Sequence, residues 1–255
     1  MSGSLAGLRV LVTRPAHQAD ALCRMIENEG GVAIKLPLLT IEPAARASEA
    51  QRKLAAEHAL WIFTSVNAVR HALPLSGGKW GSRLAAIGPA TANAIAAAGG
   101  AGAATPLSGA SSEALLALRE LQEISGQRVL IVTGEEGLDR LERGLAERGA
   151  LVERVEVYRR VALPYPPDAV ASALRRTDVM VITSGQSLEH LVRITPDDAR
   201  KLLLKKRMVV PSARMLDKAR ELGFTQAPRV AEPVSDAGFC AACATFAPDA
   251  PAETA

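Results

Sequence analysis

Six short stretches of the chain share one chemical character: Thr13-Arg14, Thr64-Ser65, Gly88-Pro89, Thr133-Gly134, Thr183-Ser184-Gly185 and Pro211-Ser212. Each is small or hydroxylated, and each falls between an apolar run and a segment with helical spacing. Such a place is the carboxyl end of a strand that turns into a helix. The first helical turn leaves backbone N–H groups without partners and carries a partial positive charge, so it binds carboxylate or phosphate. One such end contributes about 0.3–1 kcal/mol toward an exposed anion. Several of them facing one cleft would hold a polyanion with few Lys or Arg. The competing reading is that Ser and Thr are ordinary helix caps. That reading suffices for any single position; the recurrence of the pattern in both halves of the chain favours a ligand. Tyr158, one of two tyrosines, stands beside Arg159 and Arg160. A phenol next to cations can donate a proton. It can equally be an edge-strand residue packed on a hinge.

Other chemistries find no support. There is no phosphate loop of the Gly-x-x-x-x-Gly-Lys-Ser/Thr kind, no Gly-x-Gly-x-x-Gly and no Gly-x-Ser-x-Gly elbow. His17, His58, His71 and His190 are scattered, so no metal site is expected. Cys240 and Cys243 have redox or zinc spacing but lack a second ligand pair, and Cys23 makes the count odd. They read as buried core cysteines of a reduced, cytoplasmic protein. Aromatics at 3% argue against stacking platforms for nucleic-acid bases. The net charge of +3 is dispersed rather than gathered on one face, which excludes a nucleic-acid footprint and suits a small anionic substrate. No secretory signal and no apolar segment of transmembrane length are evident, so no membrane partner is expected.

The elements that must position these residues alternate. Leu8 to Thr13 is a β-branched strand, and Arg14-Pro15 starts a helix that Gly30 stops. Residues 32–41 are extended, with Pro37 and Pro43 marking an edge or a linker. Strand and helix then recur over 60–63, 66–73, 83–88, 91–98, 128–132, 138–148, 151–157, 178–182, 187–193, 208–210 and 213–222. Alternation of this kind predicts parallel sheets covered by helices on both faces, and the unbroken apolar character of the strands agrees. Glu156 to Pro167 is extended and basic and mirrors 35–45. The segment 247–255 is a low-complexity, disordered tail.

The chain also repeats itself at an offset of 119 residues. Arg9-Val10-Leu11-Val12 answers to Arg128-Val129-Leu130-Ile131, Asp20 to Asp139, Gly30 to Gly149, and Thr64-Ser65 to Thr183-Ser184. A period of that length is domain-sized, which predicts two similar lobes and a ligand cleft between them.

Taken in order, Val-Thr-Arg-Pro at 12–15 with Gln18, Leu-Pro-Leu at 36–38, Phe-Thr-Ser-x-Asn-Ala-Val at 63–69 and Ile-Gly-Pro-x-Thr-Ala at 87–92 resemble the uroporphyrinogen-III synthase family. Ser-Ser-Glu-Ala-Leu at 111–115, Val-Tyr-Arg-Arg at 157–160 and Thr-Ser-Gly-Gln at 183–186 continue the resemblance, and Val-Pro-Ser-x-Arg at 210–214 is similar to the proteobacterial branch. The resemblance covers roughly 8–246. It implies two flavodoxin-like parallel-sheet lobes joined by a two-stranded β linker. One lobe is formed by 1–38 with 165–246 and the other by 48–152, with linkers at 39–47 and 153–164.

The implied reaction cyclises hydroxymethylbilane with loss of water and inversion of ring D, without metal or organic cofactor. The implied acid is Tyr158. The implied binding residues for the eight substrate carboxylates are Arg14, Thr64, Ser65, Asn67, Gly88, Thr91, Ser112, Thr183, Ser184, Gly185 and Ser212. A monomer that docks transiently with the preceding pathway enzyme is expected. Two departures stand out. Thr133 and Leu138 occupy places where many relatives carry Arg, and Pro211-Ser212 replaces Gly-Pro. Those losses motivate an alternative, an inactive two-lobe protein that binds a polycarboxylated ligand. A phosphosugar or nucleotide enzyme is a third class, disfavoured by the missing ribose-binding and metal motifs.

Overall fold

The computed structural model describes residues 3–107, 109–135 and 139–247. In chain order its elements are β1 (Arg9–Val12), α1 (Ala16–Asn28), β2 (Val32–Lys35), β3 (Leu39–Pro43), α2 (Ala47–Ala55), β4 (Leu60–Phe63) and α3 (Val66–Leu75). Then come β5 (Leu84–Ala86), α4 (Pro89–Ala97), α5 (Ser112–Leu116), β6 (Arg128–Gly134), α6 (Asp139–Ala146) and β7 (Leu151–Ala162). The chain closes with α7 (Pro167–Arg175), β8 (Val179–Val181), α8 (Gly185–Ile194), α9 (Asp197–Leu204), β9 (Arg207–Val210), α10 (Arg214–Glu221), β10 (Arg229–Val230) and α11 (Asp236–Ala244).

Packing divides the chain into two compact units. The first comprises residues up to Thr40 and from Val161 onward; the second is Ile41–Arg160. The first unit carries a sheet in the order β10-β9-β8-β1-β2, parallel throughout. Its strands bury both faces by alternation. Leu11, Met180, Met208 and Val210 meet α7 to α10, while Val10, Val12, Val179, Val181 and Val209 meet α1 and α11. The second unit carries the order β3-β7-β6-β4-β5, with β7, β6, β4 and β5 parallel. There Trp61, Phe63, Leu130 and Val132 face α2, α3 and α4, and Leu60, Ile62, Val129 and Ile131 face α5 and α6. Burying one such side chain contributes about 1.5–3 kcal/mol, so the apolar runs act as two-sided cores. The expected α/β class with parallel, doubly covered sheets is present.

Four helices went unread in the sequence: α2, α5, α7 and α9. Their buried residues include Ala50 in α2, Ala171 and Ala173 in α7 and Ala199 in α9. Leu54, Val170, Leu174 and Leu203 are buried beside them, but these helices run to nine residues or fewer, which leaves few repeats for a period to show. The extended run 32–41 splits into β2 and β3 around Pro37, and each lies at the edge of its sheet. Gly30 and Gly149 follow α1 and α6 with φ of 80° and 77°, a conformation open to glycine at helix ends. The tail call at 247–255 lies outside the described residues except for Ala247.

Candidate functional site

In the second unit the strand order reverses between β4 and β6. From β4 the chain runs through α3 to β5 on one side, whereas β6 lies on the other. Open parallel sheets bind ligands outside the carboxyl ends at such a reversal. Thr64 and Ser65 follow β4 there. The Thr64 N–H donates to the Val132 carbonyl at 3.1 Å and its hydroxyl donates to Thr133 Oγ1 at 2.9 Å, joining the ends of β4 and β6. Ser65 caps α3 by accepting from the Ala68 N–H at 3.0 Å. The Ser65 Oγ also lies 3.1 Å from the Tyr158 hydroxyl.

Tyr158 reaches this place through an irregularity in its strand. Thr133 pairs with Glu156, but Gly134 pairs with Tyr158. One extra residue on β7 therefore opposes β6, a bulge that turns a side chain to a new direction. Val155 and Val157 face the α3 side, and simple alternation would send Tyr158 away from it. The bulge brings Tyr158 into the same cluster, where it is 4% exposed. Its ring lies on the backbone of Gly134, where an added Cβ would stand 2.7 Å from Tyr158 Cζ. The His71 ring of α3 covers it from 5.9 Å, tilted by 32°. The Glu135 N–H donates to the Tyr158 carbonyl at 3.0 Å.

The other expected residues of this unit sit nearby on its loops. Asn67 is buried in the first turn of α3. Gly88 is the N-cap of α4 in extended backbone, and a Cβ there would approach Ala110 Cβ and the Gly109 carbonyl to 2.8 Å, so the close approach selects glycine. Thr91 is not a cap; it is buried inside the first turn of α4. The cap of α5 is Ser111, which accepts from the Ala114 N–H at 3.2 Å. Ser112 is buried as the first helical residue. Leu138 lies outside the described residues.

In the first unit the reversal falls between β1 and β8, and the Thr13 hydroxyl spans it, donating to the Val181 carbonyl at 2.8 Å. Ser184 caps α8, accepting from the Ser187 N–H at 3.1 Å and bonding the Ser187 hydroxyl at 2.8 Å. Thr183 is half-buried before it, and Gly185 opens the helix. Two further candidates are placed as follows. Arg14 is paired with Asp236 and lies over the Phe239 ring at 4.8 Å, so its charge serves to fasten the start of α1 to α11. Ser212 is exposed, and the cap position of α10 is Ala213, which makes no side-chain cap. Hydroxyl capping at these strand ends is therefore a property of Ser65 and Ser184, with Ser111 added before α5.

The cysteines pack on α1 and the first sheet, and burial pushes Cys240 up to about 11 and Cys243 up to about 12. Both remain thiols at neutral pH and are poor metal ligands. No group of three or more His, Cys, Asp or Glu among the described residues is placed to hold a metal ion. A cleft of about 500 Å³ between Arg46, Lys53, Glu135 and Arg154 borders the loop after β6. A second, of about 780 Å³ beside Trp61, Trp80 and Arg128, lies at the amino ends of the strands. No helix among the described residues is long and apolar enough to cross a membrane. The sequence reading missed Gly134 as the seat of the Tyr158 ring, although a glycine at a strand end is itself a signal of close approach.

Comparison with known proteins finds related sequences and a similar fold. The family model described as "Uroporphyrinogen-III synthase HemD" matches residues 20–238. The uroporphyrinogen-III synthase of Salmonella typhimurium is 36% identical over 227 residues, which is 85% of this chain and 92% of that protein. The enzyme of the same name from Escherichia coli is 35% identical over 228 residues, again 85% and 92%. Among solved structures, uroporphyrinogen-III synthetase from Helicobacter pylori superposes with a TM-score of 0.61 at 12% identity, covering 94% of this chain and all of that one. A mutant synthase from Thermus thermophilus gives 0.59 at 22% identity, covering 92% and 98%. The two structures speak for the fold.

Proposed function

The chain belongs to the uroporphyrinogen-III synthase family, and from that premise we propose how its residues serve the reaction. The activity is a cyclising dehydration that yields uroporphyrinogen III. Its substrate is hydroxymethylbilane, a linear tetrapyrrole with eight carboxylates. The observation that carries the proposal is the 3.1 Å contact of Ser65 with Tyr158.

Ser65 Oγ already accepts the Ala68 N–H. Its own proton is then free for the Tyr158 oxygen, which leaves the phenolic proton for the substrate. Tyr158 gives that proton to the departing hydroxyl, the C–O bond breaks, and water leaves with the electron pair. The phenolate is stabilised by Ser65 and by the N-terminus of α3. The carbon that lost water bonds the ring D carbon already carrying the bridge to ring C; that bridging C–C bond then breaks and re-forms at the free carbon on the other side of the pyrrole nitrogen, which inverts ring D, and the proton displaced there returns to the phenolate. Holding a flexible substrate in one ring-closing conformation is worth more than acid strength in such a reaction.

Thr64, Ser65, Asn67, Gly88, Thr91 and Ser112 are read as the carboxylate-binding loops of the second unit. Thr183, Ser184, Gly185 and Ser212 are read in the same way for the first. Their contribution is chiefly backbone N–H groups. Arg14 enters this set only through the loop it anchors. The two units are read as copies of one ancestral unit. The 119-residue offset relates β1, β2 and β8 to β6, β7 and β4, a slightly longer offset relates β9 to β5, and the neighbour order β2-β1-β8-β9 matches β7-β6-β4-β5. The paired segments β3 and β7, where the chain passes from one unit to the other, are read as the linker.

The test is to add freshly prepared hydroxymethylbilane and resolve the oxidised product isomers. The inverted isomer is expected in excess, and Tyr158→Phe should lower turnover more than affinity. Only the non-inverted isomer, formed at the uncatalysed rate, would return the chain to the inactive-binder reading. Full turnover by Tyr158→Phe would remove Tyr158 as the acid.

A further inference from the structure

We propose that Arg154 is the positioning residue for Tyr158, acting through the β6 backbone on which the tyrosine ring lies; the inference rests on the acid role given to Tyr158. The Arg154 guanidinium donates from Nη2 to the Glu135 carbonyl at 2.7 Å and to the Gly134 carbonyl at 3.3 Å. The same nitrogen pairs with Glu156 at 3.0 Å. Those two carbonyls stand where the ladder between β6 and β7 ends. The Glu135 N–H to the Tyr158 carbonyl, at 3.0 Å, is the bond that closes it.

The plane of the Gly134–Glu135 peptide is held on its N–H side by that ladder bond and on its carbonyl side by Arg154, and the next carbonyl, that of Glu135, is held by Arg154. That plane sets the height of the Tyr158 ring, which is already close enough to leave no room for a methyl group. The ring height in turn sets the reach of the hydroxyl to Ser65. A charged donor to carbonyl oxygen is among the stronger hydrogen bonds, so it suits a backbone segment that must not drift. Arg154 is therefore four residues from Tyr158 in sequence and one peptide plane away in space.

Because all three contacts use a single terminal nitrogen, lysine can replace part of the function. Arg154→Gln should lower kcat about tenfold with KM changed by less than about twofold, since misplacing an acid removes transition-state rather than ground-state binding. Arg154→Lys should recover part of kcat. In a Tyr158→Phe background, Arg154→Gln should add little further loss, because the hydroxyl it positions is gone.

The chain has two tyrosines. Carbon-13 labelling at tyrosine Cζ therefore gives two signals, and Arg154→Gln should move that of Tyr158 and leave that of Tyr165. Two results overturn the proposal: unchanged kcat in a folded Arg154→Gln protein, or a loss that multiplies fully with that of Tyr158→Phe. If Arg154→Gln does not fold, Arg154→Lys decides by the same kcat-against-KM split and the same double substitution. Full turnover by Tyr158→Phe alone would instead defeat the acid role, a separate failure.

Discussion

Replacing Gly134 by Ala isolates the contact on which the site depends. Gly134 does not lie in the left-handed region, so alanine adopts its backbone without strain. The added methyl would stand 2.7 Å from Tyr158 Cζ, 2.8 Å from Cε2 and 3.1 Å from Cε1. Carbon atoms in contact prefer about 3.5–4.0 Å, so the ring must retreat by about 1 Å. Its hydroxyl, now 3.1 Å from Ser65 Oγ, would then pass beyond hydrogen-bonding distance. Overpacking of this kind costs about 1–3 kcal/mol of stability. A displacement of about 1 Å in an acid costs turnover by up to about a hundredfold, so kcat should fall between tenfold and a hundredfold. Steady-state kinetics on fresh hydroxymethylbilane, with isomer analysis and a thermal melt on the same samples, reads both quantities. In a Tyr158→Phe background the stability loss should persist, because the ring still meets the methyl. The turnover loss should disappear, because there is no hydroxyl to misplace. A folded Gly134→Ala protein with full turnover would refute the reasoning.

Three further outcomes are expected. Ser65→Ala and Ser184→Ala each remove one helix cap, worth about 0.5–2 kcal/mol, and should lower Tm alike. Ser65→Ala should reduce kcat more, since only Ser65 touches Tyr158; equal kinetic effects would count against the pairing. Thr64→Val removes the hydroxyl bond to Thr133 and should lower activity by roughly tenfold, in line with loss of one hydrogen bond; complete inactivation in steady-state assays would show a larger role. Glu153 accepts from His58 at 2.9 Å, and chiefly through that bond its carboxyl is held below the usual 4.5. A depressed carboxyl contributes stability that is present above its unfolded value and is lost as pH falls through its folded one. Glu153→Gln should therefore be destabilised near pH 7 and converge on the parent below about pH 4 in thermal melts; a gap that widens in acid would reverse the sign.

The sequence by itself determined the α/β class, because unbroken apolar strands between helical segments admit few other arrangements. It also placed Thr and Ser at strand ends in each half of the chain, after β1 and β8 and after β4 and at the end of β6. Capping at Ser65 and Ser184 was legible for the same reason, since an N-cap is a local device read from two or three residues. The helices α2, α5, α7 and α9 went unread because they are short, so that buried pairs such as Ala50 and Leu54 or Val170 and Leu174 repeat too few times to mark a period. The roles of individual side chains beyond the caps belonged to tertiary structure. Arg14, which the resemblance implies as a substrate-binding residue, is paired with Asp236, a residue more than two hundred positions away. Tyr158 looked like one face of an edge strand, and alternation alone would have pointed it away from Ser65. A single extra residue in β7, visible only in the pairing of Thr133 and Gly134 with Glu156 and Tyr158, reversed its direction. Composition and spacing fix which groups are present and which elements carry them. Register fixes which groups meet, because in a strand a shift of one residue exchanges one face for the other.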